Sequence, residues 1–151
     1  MTELKRAGAQ DAQIIWQMQR EAFSELFEKY QDYETSPATE KLERTQQRLT
    51  DGSFFYYIIA DGENVGAIRI VQQDNCKRLS PIFIMKQHRG KKYAQAAIKL
   101  AMQIHGEHNW ELETILQENE NCHLYEKLGF IRTGRIDRIN ERMDLVYYKI
   151  D

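Results

Sequence analysis

Residues 78–117 hold the pattern that most restricts the fold. An apolar stretch, RLSPIFIM (78–85), is followed by the basic glycine turn QHRGKK (87–92), a helix-like stretch YAQAAIKLAMQIHGEH (93–108) and a second apolar stretch, WELETILQ (110–117). Strand, crossover helix and strand can lie side by side in one sheet only as a parallel pair. Pro81 cannot donate a ladder hydrogen bond, so the first strand is expected to kink or open the sheet locally. In the helix-like stretch Ala94, Ala97, Ile98, Ala101, Met102 and His105 recur at helical spacing, and Gly106 suits its end.

The rest of the chain adds antiparallel pieces around this unit. Residues 3–7 read as an edge strand, and Asp11 is a candidate helix cap. In IIWQMQREAFSELFEKY, Ile14, Ile15, Met18, Ala22, Phe23, Leu26 and Phe27 define one helical face. After QDYETSPA a polar helix is expected over 39–49, because Pro37 disfavours helix at Ser36. FFYYIIA (54–60) and VGAIRIVQ (65–72) flank DGEN, whose Gly62 and Asn64 suit a hairpin turn. NCHLYEKLG (121–129) reads as a short helix, and FIRTGRIDRINERMDLVYYKI as a closing pair of strands. The outcome is an α+β fold: a mixed, mostly antiparallel central sheet of about seven strands flanked by about four helices.

Composition narrows the function. The 151 residues contain 42% hydrophobic and 29% charged side chains, which suits one domain over 1–151. Lys and Arg number 21 against 23 acidic residues, so no global field recruits nucleic acid or an anionic membrane. No stretch approaches the roughly 20 apolar residues of a membrane span. MTELKRAGAQ lacks the apolar core of a signal peptide, and a cytoplasmic location is expected. Cys76 and Cys122 show no metal-type spacing, and neither a metal nor a disulfide is expected.

Positive charge is therefore a local matter, concentrated at His88, Arg89, Lys91 and Lys92. The turn lies between a strand and a helix start, where unpaired amides and a partial positive charge meet, and Gly90 lets the backbone curl closely. Phosphate is the natural guest of such a turn. An ordinary solvated strand-to-helix turn has the same composition.

QHRGKKYA (87–94) taken with LYEKLGF (124–130) resembles the GNAT superfamily of N-acetyltransferases. Gln87 and Gly90 match its pyrophosphate motif, Gln/Arg-x-x-Gly-x-Gly/Ala, whereas Lys92 stands where Gly or Ala is usual. Leu124, Tyr125, Gly129 and Phe130 match its later motif. The resemblance implies acetyl-CoA as donor and a splayed parallel pair formed by strands 78–85 and 110–117. The pantetheine arm would enter the splay as an added strand on main-chain groups of Ile82, Phe83 and Ile84. Backbone amides of Arg89, Gly90, Lys91, Lys92, Tyr93 and Ala94 would hold the pyrophosphate. Asn119 and Asn121 are both candidates for a contact to the arm.

The same resemblance assigns Tyr125 as general acid toward the leaving thiolate, and a tyrosine with a pKa near ~10 is protonated at neutral pH. The other reading of Tyr125 is an aromatic anchor for its helix. For the general base Glu21, Glu111, Glu113 and Glu118 are all possible on spacing, with Glu113 as the working choice. Cys122 and His123 are neighbours on a helix and diverge, so no thiol–imidazole pair is expected. The loop 30–38 supplies Tyr30, Asp32 and Tyr33 as candidate contacts for a cationic small-molecule amine or peptide amine. The terminal hairpin presents Met143, Leu145 and Tyr147 on one face, for the acceptor or for a homodimer interface. Two other classes stay open: an acyl-CoA-binding module without catalysis, and a nucleic-acid-binding domain using residues 86–92.

Overall fold

FFYYIIA shows why the sheet ends up buried on both sides. Phe55 and Tyr57 pack beneath one pair of helices, while Tyr56, Ile58 and Ala60 pack beneath the other. A strand covered on both faces carries a continuous apolar run instead of an alternating one. The computed structural model describes residues 1–151, and its elements follow the expected order. They are β1 (Thr2–Arg6), α1 (Ala12–Tyr30), α2 (Leu42–Thr50), β2 (Phe54–Ala60), β3 (Glu63–Gln72), β4 (Lys77–Ile84), α3 (Tyr93–His105), β5 (Trp110–Ile115), α4 (Asn119–Lys127), β6 (Ile131–Arg138) and β7 (Asp144–Ile150).

One seven-stranded sheet runs β1-β2-β3-β4-β5-β7-β6. Every neighbouring pair is antiparallel except β4 with β5. The α+β reading, with its mixed sheet and single parallel pair, holds. Helices α3 and α4 cover one face over a core that includes Ile58, Ile68, Ile98, Trp110, Leu112 and Tyr148. Helix α1 covers the other, with Ile15 and Ala22 in one cluster with Phe55, Ala67, Phe83 and Met85 beneath them. Each fully buried aliphatic or aromatic side chain of this kind stabilises by about 1.5–3 kcal/mol. No helix is long and apolar enough to cross a membrane.

Several local expectations need correction. Asp11 stands at the start of α1 but makes no cap; its carboxylate accepts from the Gly8 amide (2.8 Å) and from the Tyr57 hydroxyl (2.9 Å). Ile14 is 54% exposed, and the polar Gln19 occupies the buried stripe in its place, donating through Nε2 to the Pro37 carbonyl (3.0 Å). The polar helix starts at Leu42, because residues 37–39 form a tight turn of their own with Ser36 Oγ accepting from the Ala38 amide. The hairpin turn is Asp61–Gly62, while Asn64 lies within β3 opposite Ile59. Helix α4 starts at Asn119, two residues before the expected 121, so Asn119 and Asn121 both lie in its first turn.

Candidate active site

The parallel pair is short. β4 and β5 are in register only at Lys77 with Trp110 and Arg78 with Glu111, after which they diverge. The open edge of β4 can be assigned by alternation. The Met85 amide donates to the Val65 carbonyl of β3 (2.8 Å), and successive residues of a strand bond to opposite sides, so Ile82 and Ile84 carry their main-chain groups toward the gap and Phe83 does not. Phe83 instead packs its ring edge-on against Phe23, 5.8 Å between centroids.

Gly66 brings β3 unusually close at this point. It lies opposite Ile84, and a Cβ on it would sit 2.1 Å from the Phe83 carbonyl oxygen.

The glycine turn follows at once. Gly90 has φ 82° and Lys92 has φ 64°, ψ 23°, both left-handed. For Lys92 that conformation costs roughly 1–2 kcal/mol, which gives a physical reason for glycine at such a position. The Arg89 amide is already used, donating to the Lys86 carbonyl (3.3 Å). The amides of Gly90, Lys91 and Lys92 donate to no carbonyl of the chain, and Tyr93, Ala94 and Gln95 form the first helical turn, which has no intrahelical acceptors. The run of available amides is thus Gly90 to Gln95, one residue later than expected.

Arg89 also differs from a phosphate-facing cation. Its Nε donates to the Ile84 carbonyl (3.0 Å) and its Nη2 to the Ala22 carbonyl (2.8 Å), with Glu25 at 3.6 Å. It clips the end of β4 to α1.

Two cavities meet along this gap. The first, about 390 Å³, is bordered by Ile82, Phe83, Ile84, Arg89, Gly90, Lys92, Tyr93 and Ala94, and by Glu118 and Asn121 of the β5–α4 segment. The second, about 530 Å³, is bordered by Tyr30 and Asp32, by Pro81 and Glu113, and by Asp137, Met143, Leu145 and Tyr147. Phe23, Leu26, Ile82, Asn121 and Tyr125 border both. Tyr125 is 7% exposed, and its hydroxyl is pushed up to about 12 by burial, with Cys122 nearby adding to the shift. It stays protonated through the neutral and moderately alkaline range.

Side chains from distant segments hold the second cavity together. The Tyr30 hydroxyl and the Lys29 ammonium both donate to Glu118, the latter at 2.8 Å. Burial opposes ionisation of Glu118, but these two donors outweigh it and hold the carboxyl below its usual range. Asn140 donates to the Tyr30 carbonyl (2.9 Å), so the terminal hairpin closes onto the end of α1. Opposite, Asp137 accepts from the Tyr147 hydroxyl (2.6 Å) and from Arg135 (2.8 Å), which together keep it ionised.

The candidates named from sequence are therefore partly gathered and partly dispersed. Ile82, Phe83, Ile84, Arg89, Gly90, Lys92, Tyr93, Ala94, Asn121 and Tyr125 border the first cavity; Tyr30, Asp32 and Glu113 border the second. Gln87, Lys91 and Asn119 border neither, and all three are exposed. Tyr33 is 69% exposed and packs on Phe27 outside the second cavity. Asp32 is spent locally, accepting from the Thr35 amide (2.9 Å), the Glu34 amide (3.2 Å) and the Thr35 hydroxyl. Glu113 pairs with Arg78 at 3.2 Å, and Glu111 lies 3.9 Å from the same guanidinium. Gly66, Asp137 and the link from Tyr30 to Glu118 were not anticipated as parts of the site. Gly66 interrupts an apolar strand, a signal for close backbone approach; the other two have no local sequence signal.

The sequence model of the acetyltransferase (GNAT) family matches residues 14–130. No curated protein matches the sequence. Among solved structures, the chain is similar to spermidine N-acetyltransferase from Vibrio cholerae in complex with CoA and spermine, at 20% identity and TM-score 0.74, covering 97% of this chain and 93% of that one. It is also similar to the acetyltransferase of Salmonella typhimurium that modifies the N-terminal serine of ribosomal protein L7/L12, at 11% identity and TM-score 0.74, covering 99% and 95%. The microcin C7 self-immunity acetyltransferase MccE, in complex with acetyl-CoA and AMP, aligns at 13% identity and TM-score 0.72, covering 99% and 92%. With the splayed parallel pair, the glycine turn and a family match over most of its length, the chain belongs to the GNAT acetyltransferase family.

Proposed function

We propose that this chain, working as one domain over residues 1–151, moves the acetyl group of acetyl-CoA to a primary amine by direct attack in a ternary complex. The observation that carries the proposal is that the two cavities share Tyr125, a buried hydroxyl that keeps its proton. Amides from Gly90 to Gln95 hold the pyrophosphate, and the main-chain groups of Ile82 receive the pantetheine arm as an added strand, which leaves the Ile84 amide for the thioester. Asn121 adds a side-chain contact to that arm. The Ile84 amide donates to the thioester oxygen as negative charge develops there, which favours the tetrahedral state.

The amine enters from the second cavity and bonds to the carbonyl carbon; the carbon–sulfur bond then breaks, and Tyr125 gives its proton to the departing thiolate. The proton lost by the amine passes through water to Glu113. Amine acceptors are consistent with the neighbours, among them a spermidine acetyltransferase and an enzyme that modifies a protein N-terminal serine.

Replacing Tyr125 by Phe tests the acid role. Turnover is expected to fall about 100-fold with little change in acetyl-CoA affinity. In the unaltered protein the rate should not decline between pH 8 and about 10, because the hydroxyl remains protonated there. Equal turnover in the two proteins would return Tyr125 to a packing role, and tight acetyl-CoA binding with no transfer to any amine would favour a binding module.

A further inference from the structure

The second cavity has a broad apolar wall, and three of its four carboxylates face an arginine. Phe23, Leu26 and Phe27 of α1, with Ile139, Met143 and Leu145 of the terminal hairpin, contribute aromatic and branched surface to it. Four carboxylates also border it, and each is engaged within the chain. Asp32 accepts two amides and a hydroxyl from its own turn. Glu40 pairs with Arg48 at 3.2 Å, with side chains only 11% and 18% exposed, and accepts from Thr45 at 3.4 Å. Glu113 pairs with Arg78 at 3.2 Å, and Asp137 with Arg135 at 2.8 Å and Tyr147 at 2.6 Å.

A polyamine brings several ammonium groups, and each must recover on a carboxylate what it loses by leaving water. Here three of the four carboxylates, Glu40, Glu113 and Asp137, already face an arginine that offsets their charge, so a further ammonium gains little net attraction from them. An amine with a single charge on an apolar body makes a smaller demand. Its body buries against the walls, and its nitrogen is uncharged when it attacks. The cavity volume, about 530 Å³, is in the range of small-molecule pockets.

Resting on the acetyl-transfer reading above, we propose that the acceptor is a monocationic primary amine on an aromatic or branched aliphatic body, and that polyamines are poor acceptors.

Thiol release from acetyl-CoA would be followed with phenethylamine, isopentylamine, spermidine and a tetrapeptide with a free N-terminal phenylalanine, and acetyl-CoA binding measured by calorimetry on the same sample. The expected result is a kcat/KM for phenethylamine at least about tenfold above that for spermidine. Spermidine equal or better overturns the proposal, as does a peptide better than both small amines, or bound acetyl-CoA with none of the four acetylated. Absence of acetyl-CoA binding removes the acetyl-transfer reading itself, so the two failures are distinguishable. A Leu145→Glu variant that still binds acetyl-CoA adds an uncommitted carboxylate to the wall. Its preference should move toward spermidine by about tenfold, and an unchanged ratio counts against charge balance as the basis of selection.

Discussion

At the donor end of the gap the main-chain groups free to bind come from two short stretches, Ile82–Ile84 and Gly90–Gln95, that follow one another in the chain. At the acceptor end the lining is side chains drawn from α1, the 32–40 loop, β4, β5, α4, β6 and β7. The contacts that close that end join residues as far apart as Tyr30 and Asn140, and Tyr30 and Glu118. Backbone sites tolerate almost any side chain that points away, provided the strand, turn and glycine are right. Side-chain sites can be retuned one residue at a time without disturbing the fold. The difference accounts for one donor and varied acceptors on a shared scaffold.

Altering each end in turn should separate them. Gly66→Val is expected to have the largest effect, since its Cβ would collide with the Phe83 carbonyl at 2.1 Å and push the end of β4. A loss of about 2–3 kcal/mol in thermal unfolding and weaker acetyl-CoA binding are predicted. If both were unchanged, the geometry of the open edge would not depend on that close approach.

Tyr30→Phe removes one of two donors to Glu118 and leaves the Lys29 pair in place. It should cost about 1 kcal/mol and raise the acceptor KM several-fold while sparing acetyl-CoA affinity. An equal effect on both ligands would erase the distinction between the ends.

The smallest effect belongs to Lys92→Gly, which relieves a left-handed φ of 64° but frees the unfolded chain. A net gain of about 0.5–1 kcal/mol in urea unfolding is expected, with acetyl-CoA affinity within about threefold of the original. A large drop in affinity would give the Lys92 ammonium a direct part in phosphate binding.

The same contrast explains what was legible in the sequence. Periodicity and turn chemistry disclosed all seven strands and four helices, because each is encoded within its own residues. The glycine turn was legible for the same reason, although the use of Arg89 as a clip to Ile84 and Ala22 was not. Charge composition points an arginine toward phosphate, whereas its partners here are two carbonyls, one of them 67 positions earlier in the chain. Asn64 and Asp11 were misassigned within a few residues, where turn geometry and tertiary bonds override local preference. Glu118 was one of four possible bases on spacing, but its donors Lys29 and Tyr30 were not legible, and Asp137 carried no signal, because such partners are known only once the sheet is assembled.

The central claim is that the backbone between β4 and α3 binds acetyl-CoA, and a calorimetric titration of the original protein against Gly90→Val tests it most directly. Gly90 has φ 82° with nothing within 4 Å of an added Cβ, so a β-branched residue there strains the turn without colliding with its surroundings. Acetyl-CoA affinity is predicted to fall about tenfold, in line with about 1–2 kcal/mol of left-handed strain. Identical affinities in the two proteins would contradict the account.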